Sequence, residues 1–514
     1  MDSGKKTQVF VRDATGLVKN VSFFDAIALN MSNMSLGAAL GLIGFTTILL
    51  PTIAGVNIVY ASVIGFLISV PQIVVYTMMT TRVPRTGGDY VWVSRVFGGL
   101  VGNTAALMGY TLGNIPYLSL VAISVVFAIG SVGVQQGVAG SLSLALPGGS
   151  GGSPVPQFLI AASIIVLLVA LNVFRPHWGF RLVSVLMIIG FAATVLGIGT
   201  LLSAGRQGVE NYVNNLGING TTYQSVASSY TGSTFDLGAT VTFVPFFAFF
   251  VYPWLNAGPA VASEIKGKRP TRWNVAISSF MVFVLLTGAL ATMYYVGGMP
   301  FINGALSNSN LVYNYSFNFW TLAMGVSGNS LVSWAIGIGW ILWLAAILAY
   351  GIIVIGRYLL AHAFDRFFPA KVAYVSDKHH SPVVALLIEM VLAVAFVASA
   401  SFLYGTVVSL YGVTVGNMAY FAIVGLAAAT WGATREKGTA RLVLVAAGGA
   451  MAAVFAALDY AFISQWAIYG GNYVAYGYEV AAVVFGVVVY FASKRYHMKR
   501  GIDISLAFKE IPPE

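Results

Sequence analysis

Hydrophobic residues form twelve long, nearly continuous stretches along the chain, and polar residues gather in the connections between them. Several stretches exceed the roughly 20 apolar residues that a helix needs to cross a hydrocarbon core of about 30 Å. Because the stretches do not alternate with polar residues, they favour helices over the strands of a membrane barrel. The pattern predicts an all-α polytopic membrane protein with about twelve transmembrane segments. These are expected at 22–53, 56–81, 100–130, 156–174, 180–204, 239–264, 273–297, 331–361, 382–403, 406–433, 440–463 and 474–494.

Basic residues are confined to alternate connections. With the N-terminus placed inside, 25 of the 26 Lys and Arg residues fall on the cytoplasmic side and only Arg206 falls outside. The positive-inside rule predicts this asymmetry. We therefore expect a multi-pass protein of the cell membrane with both termini in the cytoplasm. The composition agrees, because 58% of the residues are hydrophobic and 8% are charged, against roughly 45–50% apolar residues in soluble domains.

The connections carry no sign of a soluble domain. Residues 131–155, 205–238 and 298–330 are poor in charge and rich in Gly, Ser and Asn, so flexible surface connections are expected there. The polar N-terminus lacks the apolar stretch of a signal peptide. The predicted organisation is a cytoplasmic stub (1–21), a first five-helix repeat (22–204), an extracellular loop (205–238), a second, inverted five-helix repeat (239–433), two further helices (434–494) and a cytoplasmic tail (495–514).

Two segments carry helix-breaking residues near their middles. The first reads FDAIALNMSNMSLGAALGLIGF and the sixth reads FVPFFAFFVYPWLNAGPAVASEIKGKRP. Proline removes a backbone donor and glycine is permissive, so unwinding at mid-membrane is expected in both. A simple kink is the alternative for either one alone, because Gly and Pro are common in membrane helices.

The positions of the two breaks, in segments one and six, indicate a repeated architecture. Five spans per repeat force the second copy to run the opposite way through the membrane. In transporters with inverted repeats, the broken helices meet at the midplane and form the substrate site. Free N–H groups at a break suit an anion and freed carbonyls suit a cation, so a zwitterionic amino acid fits such a gap.

Three ordered motifs then identify a family resemblance. Pro84, Gly87, Gly88, Tyr90, Arg95, Phe97 and Gly98 resemble the loop between helices two and three of the amino acid–polyamine–organocation transporters. GRYLLAHAFDRFFP (356–369) is similar to the end of that family's helix eight, and Glu264-Ile265-Lys266 is similar to the end of helix six. The resemblance covers nearly the whole chain and implies a leucine-transporter-like fold with two extra helices. It also implies an amino acid permease that works by alternating access.

Candidate substrate-binding residues follow the breaks and one face of segment three. Family helix one usually unwinds at Gly-x-Gly, whereas this chain has a single glycine there, and Trp254 and Asn256 stand where many relatives have small residues. Because an Asn cannot neutralise a cationic side chain, a neutral substrate is favoured over organic cations. The candidates are Asn33, Met34, Ser35, Leu36, Gly37, Tyr110, Asn114, Tyr117, Phe250, Pro253, Trp254, Asn256 and Gly258. For the three residues of segment three, ordinary helix packing is the alternative.

The charged loop Val83–Gly99 is expected to turn at the membrane surface. Its arginines are expected in cytoplasmic water, and Asp89 is expected to pair with one of them. Its role is either a surface hairpin or a cytoplasmic gate element.

Coupling is left open between protons, exchange and uniport. Sodium-coupled relatives use a Ser/Thr pair on helix eight, where this chain has Ala349-Tyr350-Gly351, and some proton-coupled relatives use a lysine in helix five, which this chain lacks. Charges inside membrane segments are candidates for function by default. Of these, Glu389 in segment nine is expected to reach cytoplasmic water or a neighbouring basic residue, with a proton relay as the alternative.

Other classes of function fit the residues less well. The segments hold no paired carboxylates or His–carboxylate cluster, which disfavours a membrane enzyme. No cofactor motif is apparent, the chain has no cysteine, and its five histidines form no metal-ligand set. The basic residues lie in short loops, so nucleic acid is not expected as a partner. A polyamine or other organic cation transporter, a channel and a non-transporting amino acid sensor remain alternatives.

Overall fold

The computed structural model describes residues 16–49, 54–145, 153–218, 220–404, 414–466, 469 and 473–512. These residues are helical, apart from connections and one isolated bridge between Val21 and Ile265. The helices are α1 (Phe23–Asn33), α2 (Leu36–Leu49), α3 (Ile58–Arg82), α4 (Gly88–Ala106), α5 (Leu112–Gln135), α6 (Leu142–Ala145), α7 (Pro154–Phe174), α8 (Pro176–Asn214), α9 (Tyr223–Ser229), α10 (Leu237–Phe250), α11 (Ala257–Ala260), α12 (Lys268–Gly297), α13 (Met299–Ser307), α14 (Ser309–Tyr315), α15 (Phe319–Gly325), α16 (Ser330–Phe364), α17 (Val383–Ser399), α18 (Thr414–Arg435), α19 (Gly438–Ser464) and α20 (Tyr473–Met498).

Within the described residues, eleven helical segments are long and apolar enough to cross a membrane. The pair α1 and α2 counts as one of them, and a π-helical turn (Leu107–Thr111) joins α4 to α5 in another. The remaining predicted span, the sixth, is divided between the apolar helix α10 and the single turn α11. The prediction of an all-α polytopic membrane protein is therefore confirmed.

The burial of the helices separates a core from a periphery. Most of α16 is buried, and it packs against α8, α5 and α1, so it runs through the centre of the bundle. In α7, α17 and α20, apolar side chains such as Leu167, Val391 and Val488 face outward. An outward apolar face is what a lipid-facing helix requires.

The prediction of flexible surface connections was wrong for much of the chain assigned to them. Residues 299–325 form α13, α14 and α15, and Phe301, Ile302 and Trp320 are buried there. The Trp320 indole donates to the carbonyl of Gly37 at 3.1 Å. The low charge of this segment was interpreted as flexibility, but its aromatic and aliphatic residues allow it to pack onto α2. Residues 205–238 likewise contain the end of α8 and all of α9. Residues 146–152 of the first such connection lie outside the described residues.

One end of the bundle collects the basic connections, and we call it the basic end. It comprises residues 83–87, 175, 265–267, 365–382, 436–437 and 499–512. Arg82 bonds Glu436 there at 2.5 Å, and this hydrogen bond lowers the pKa of the Glu436 carboxyl below its usual value. The C-terminal residues fold back onto the same end, where Phe508 stacks on Phe367 and the guanidinium of Arg85 donates to the carbonyl of Pro512.

Candidate functional site

The first break lies between α1 and α2 and involves Met34 and Ser35. The Met34 amide still bonds the Asn30 carbonyl at 3.0 Å, but the Ser35 amide bonds Ser32 at 3.1 Å in a tighter turn. Ser35 has a φ of 54°, a left-handed conformation that glycine adopts at little cost. Serine thus occupies a position where the family resemblance leads one to expect glycine. Because α2 begins afresh at Leu36, its first backbone amides have no preceding helical turn to bond.

The second break is longer and covers residues 251–256 between α10 and α11. The backbone groups that it frees are bonded by side chains. Gln72 of α3 donates to the carbonyl of Pro253 at 2.8 Å, and the Trp254 indole donates to the carbonyl of Phe249 at 2.9 Å. Irregular backbone is tolerated in a membrane protein where such partners replace the lost helical bonds.

Side-chain amides join the two breaks directly. Asn33 donates to Asn256 at 3.0 Å. One turn earlier, Asn30 accepts from the backbone amide of Gly258 at 2.8 Å and donates to Asn274 of α12 at 2.7 Å. All four asparagines are fully buried. Two residues of α1 therefore hold the unwound part of segment six in place.

Aromatic rings form a wall beside this junction. The rings of Trp254 and Tyr117 are stacked, with centroids 5.7 Å apart and planes 8° apart, and Tyr110 lies 6.4 Å from Trp254. The Tyr117 hydroxyl bonds the Ser35 hydroxyl at 2.6 Å, which ties the wall to the first break. Phe421 of α18 meets Trp254 edge to face.

The structure places most of the predicted site residues around the two breaks and two of them at the edge of this group. Asn114 bonds Asn417 of α18 at 3.3 Å, and Phe250 packs on Phe246 and Phe249 of its own helix. Asn114 also forms a hydrogen bond with Tyr110 of the aromatic wall, and Phe250 directly precedes the second break. Asn33, Ser35, Tyr117, Trp254 and Asn256 are linked by the contacts above. Met34, Leu36, Gly37, Tyr110, Pro253 and Gly258 complete the set and line or form the two breaks.

Several residues at the junction were absent from the sequence prediction. Asn30 is one turn before Asn33 on the same face of α1, and that spacing was a usable signal. Gln72, Asn274 and Tyr358 lie on α3, α12 and α16. No local sequence pattern shows that these helices contact the breaks. Tyr358 accepts from the Asn256 amide at 3.2 Å.

Buried polar atoms without partners lie along the first break. Among the described residues, the hydroxyl of Ser32, the carbonyl oxygen of the Asn33 side chain and the indole N–H of Trp343 have no hydrogen-bond partner. Trp343 lies against Gly37, where a Cβ would come within 2.8 Å of its ring. Since buried polar atoms in proteins are nearly always bonded, these atoms are suited to a polar ligand.

The loop that begins at Val83 turns at two glycines, as the sequence led us to expect. Gly87 and Gly88 have φ values of 86° and 45°. A Cβ on Gly87 would come within 2.5 Å of Ala361, and one on Gly88 within 2.9 Å of the backbone amide of Ala260. The two glycines thus let the turn fit between α16 and the end of segment six, so the loop is packed into the bundle.

The expected pairing of Asp89 with an arginine was wrong. Asp89 is fully buried and accepts hydrogen bonds from the hydroxyls of Tyr76, Tyr358 and Tyr420. Sequence spacing favoured a local partner, whereas the three tyrosines come from α3, α16 and α18.

The arginines of this loop are also not all in water. Arg95 is buried and forms an ion pair with Asp365 at 2.7 Å. A second buried pair joins Arg357 to Glu264 at 3.0 Å, so two of the resemblance motifs, at the ends of segments six and eight, bond each other.

Glu389 also differs from its expectation. It is fully buried in α17, and neither of its carboxyl oxygens has a hydrogen-bond partner among the described residues. It does not reach water and forms no hydrogen-bonded ion pair. It lies against Gly356 of α16 and interacts electrostatically with the neighbouring Arg357.

Comparison with known proteins adds two findings. The profile of a family described as amino acid permease matches residues 21–492, which is most of the chain. An uncharacterized protein of Sulfolobus islandicus rod-shaped virus 1 is 28% identical over 86 residues, which are 17% of this chain. The match spans about a fifth (21%) of the viral protein's length.

Proposed function

Because the chain belongs to the amino acid permease family, within the amino acid–polyamine–organocation superfamily, we propose that it carries neutral amino acids by alternating access around its two breaks. Membership makes the protein a membrane transporter of amino acids. The choice of neutral substrates and the location of the site are the proposal.

The observation that carries the proposal is the bond between Asn33 and Asn256. It joins the two interrupted segments at the point where each loses its helical geometry. A substrate carboxylate placed at the start of α2 would meet backbone N–H groups and the positive end of a helix dipole. Its ammonium group would meet side-chain and backbone carbonyl oxygens, including the unpartnered oxygen of Asn33. The same gap therefore offers acceptors and donors a few ångströms apart.

The neutral preference rests on the charges around the junction. The side chains that contact the breaks are amides, hydroxyls and aromatic rings. The nearest carboxylate along this series of hydrogen bonds is Asp89. It already accepts hydrogen bonds from tyrosine hydroxyls, and Tyr358 lies between it and Asn256. A cationic side chain of the substrate would lose its hydration here without gaining a counter-charge, which is costly in a buried site. The wall of Tyr117 and Trp254 favours an apolar or aromatic side chain instead.

The four asparagines that join the breaks are fully buried, which supports a closed state of the proposed carrier. Alternating access requires at least two further states, in which the junction is open to one side or the other. We assign the basic end to the cytoplasm on the positive-inside rule.

The experiment that tests the function uses purified protein. Thermal shift against a panel of amino acids and amines identifies a binder, and uptake of that binder into proteoliposomes is then measured under imposed pH or sodium gradients. Neutral amino acids should bind and enter. Binding without uptake or exchange under any gradient would identify a sensor, and a preference for polyamines would overturn the neutral assignment. Positions 349–351 of helix eight hold no Ser/Thr pair, which we interpret as the absence of a sodium site of that type. Steep dependence of uptake on sodium would contradict this interpretation.

Asn256→Leu tests the location of the site. The variant removes the amide that bonds both Asn33 and Tyr358, so substrate binding should be lost. Asn103→Leu is the matched control, because Asn103 is an equally buried asparagine whose amide bonds Gly486 between α4 and α20. Unchanged affinity in Asn256→Leu would remove Asn256 from the site.

A further inference from the structure

Asp89 forms an unusual cluster at the basic end, directly beyond the second break. Three tyrosine hydroxyls donate to its carboxylate: Tyr76 at 2.5 Å, Tyr420 at 2.6 Å and Tyr358. Each tyrosine comes from a different helix, so one carboxylate joins α3, α16 and α18 to the start of α4. We call Asp89 and these three residues the tyrosine cage.

The cage is built for an ionised carboxylate. An ionised Asp is acceptor-only and has lone pairs for several donors, whereas a protonated Asp carries a donor of its own and loses part of that capacity. Hydrogen bonds to an ionised group are also stronger than neutral ones. With all three hydroxyls donating, the geometry corresponds to the deprotonated form.

No basic side chain neutralises this charge among the described residues. The titratable groups that face Asp89 are Tyr76 from α3, Tyr358 from α16 and Tyr420 from α18, and the segment-six backbone at Pro259 and Ala260 covers Gly88. Tyr110, from the π-helical turn, packs on Tyr358 with ring centroids 4.4 Å apart. The nearby charges are engaged elsewhere in the ion pairs Arg95–Asp365 and Arg357–Glu264, and His362 bonds Thr111.

The cage is connected to the proposed substrate site. The Tyr358 hydroxyl donates to Asp89 and accepts from the side-chain amide of Asn256, which in turn accepts from Asn33. A continuous series of hydrogen bonds therefore runs from the first break, through the second, to the carboxylate. A change in the hydrogen bonds at either end therefore changes the partners that the Tyr358 hydroxyl must bond.

We propose that Asp89 binds the proton that couples transport to a pH gradient, an inference that rests on the proposed function. With the carrier open to the outside, a proton from the outer water passes to a carboxyl oxygen of Asp89. The protonated carboxyl carries an O–H donor of its own, so at least one of the three tyrosine hydroxyls stops donating to it. The cage is then held less tightly, and the basic end can open. The proton then departs into the inner water and the cage re-forms. One proton enters and one leaves, and no bond between heavy atoms changes.

Glu389 is the rival proton site and supplies the matched control. It is as deeply buried as Asp89, but its oxygens have no hydrogen-bond partner among the described residues. Arg357 and Tyr110 interact with it electrostatically, without a hydrogen bond. The proposed coupling depends on hydrogen bonds that reach the breaks, and Glu389 forms none.

The test compares Asp89→Asn, Glu389→Gln and the unchanged protein in proteoliposomes, using the amino acid found by thermal shift. Asp89→Asn should lose pH-driven accumulation, down to the level seen without a gradient, and keep exchange of labelled for unlabelled substrate, because exchange needs no net proton movement. Glu389→Gln should keep both activities. Accumulation retained by Asp89→Asn, or lost equally by both variants, would overturn the proposal.

Failure of the proposed function is distinguishable from failure of this inference. If the unchanged protein shows neither uptake nor exchange of any amino acid, the function itself is rejected and the proton role with it. If it exchanges substrate but never responds to a pH gradient, only the proton role is rejected.

A second variant covers the case in which Asp89→Asn does not fold. Tyr420→Phe removes one donor from the cage and keeps the carboxylate. Hydrogen bonds donated to the ionised carboxylate stabilise it, so removal of one donor makes Asp89 easier to protonate. The pH profile of gradient-driven uptake should then shift to higher pH, and an unshifted profile would count against Asp89.

Discussion

Segment one loses its helical geometry over two residues, Met34 and Ser35, whereas segment six loses it over residues 251–256. The first break is made by a single residue in a left-handed conformation. The second is made around Pro253 and leaves a single helical turn, α11, before the chain reaches the basic end. The two breaks meet, but the chain makes them in different ways.

The difference lies in what holds each break open. The first is maintained by the conformation of Ser35 itself, supported by the Tyr117 hydroxyl. The second depends on other helices, because Gln72 bonds Pro253 and Asn30 bonds Gly258. A break held by its neighbours responds when those neighbours move, which suits the part of a carrier that must rearrange. We therefore expect segment six to be the more sensitive of the two to substitution.

The largest effect is expected from Gly258→Ala. A Cβ there would come within 2.7 Å of the Asn30 amide and would also clash with Asn274, both buried. Overpacking of this kind costs about 1–3 kcal/mol, and uptake should be lost because the contact between the breaks is displaced. Gly288→Ala in α12 is the control, since its Cβ would meet open space. Equal uptake and melting temperature in the two variants would contradict the importance of this contact.

A smaller loss of uptake is expected from Asn30→Ala, because it removes a contact without forcing a new atom between the breaks. It leaves the Gly258 amide and the Asn274 side chain without their partner, and an unsatisfied buried group costs about 1–3 kcal/mol. Thermal unfolding in detergent measures the loss of stability. Asn172→Ala serves as the comparison, because that side chain bonds only the carbonyl of Leu168 one turn earlier in α7. If both variants melt at the same temperature, the hydrogen bonds of Asn30 to Gly258 and Asn274 do not contribute significantly to stability.

The smallest effect concerns Ser35. Ser35→Gly relieves a left-handed conformation worth about 1–2 kcal/mol and loses the bond to Tyr117, worth about 0.5–1.5 kcal/mol, so its stability should stay close to that of the unchanged protein. Ser35→Ala loses the same bond and keeps the strain. The difference in melting between the two variants therefore reports the strain, reduced by the extra entropy that glycine gives the unfolded chain. If Ser35→Ala is the more stable variant, the first break is not held by conformation.

The spans could be predicted from the sequence because they depend on local composition, and long apolar runs without alternation favour helices in lipid. Proline alone does not locate a break, because Pro71, Pro116 and Pro245 lie inside helices.

The candidate residues remain a prediction, and the structure shows how they are arranged. Asn33 and Ser35 are close in sequence and lie together at the first break. Asn114 bonds both Tyr110 and Asn417, because one helical face can meet more than one partner helix.

The partners of buried polar groups could not be predicted in the same way. Asp89 was assigned to an arginine a few residues away, but its tyrosines lie 13, 269 and 331 positions distant. Periodicity within a helix indicates which face is buried, and it carries no information about which distant helix covers that face. The same reason explains the buried helices at 299–325, whose composition resembled a loop.

The two buried ion pairs at the basic end, Arg95–Asp365 and Arg357–Glu264, have a consequence for temperature. If opening of this end separates them, four ions must be rehydrated. The hydration free energy of ions becomes less favourable on warming. Rehydration of the four separated ions therefore offsets less of the cost of opening at high temperature than at low temperature. Warming therefore strengthens these two contacts relative to most others, and opening of the basic end should become relatively more costly as the temperature rises.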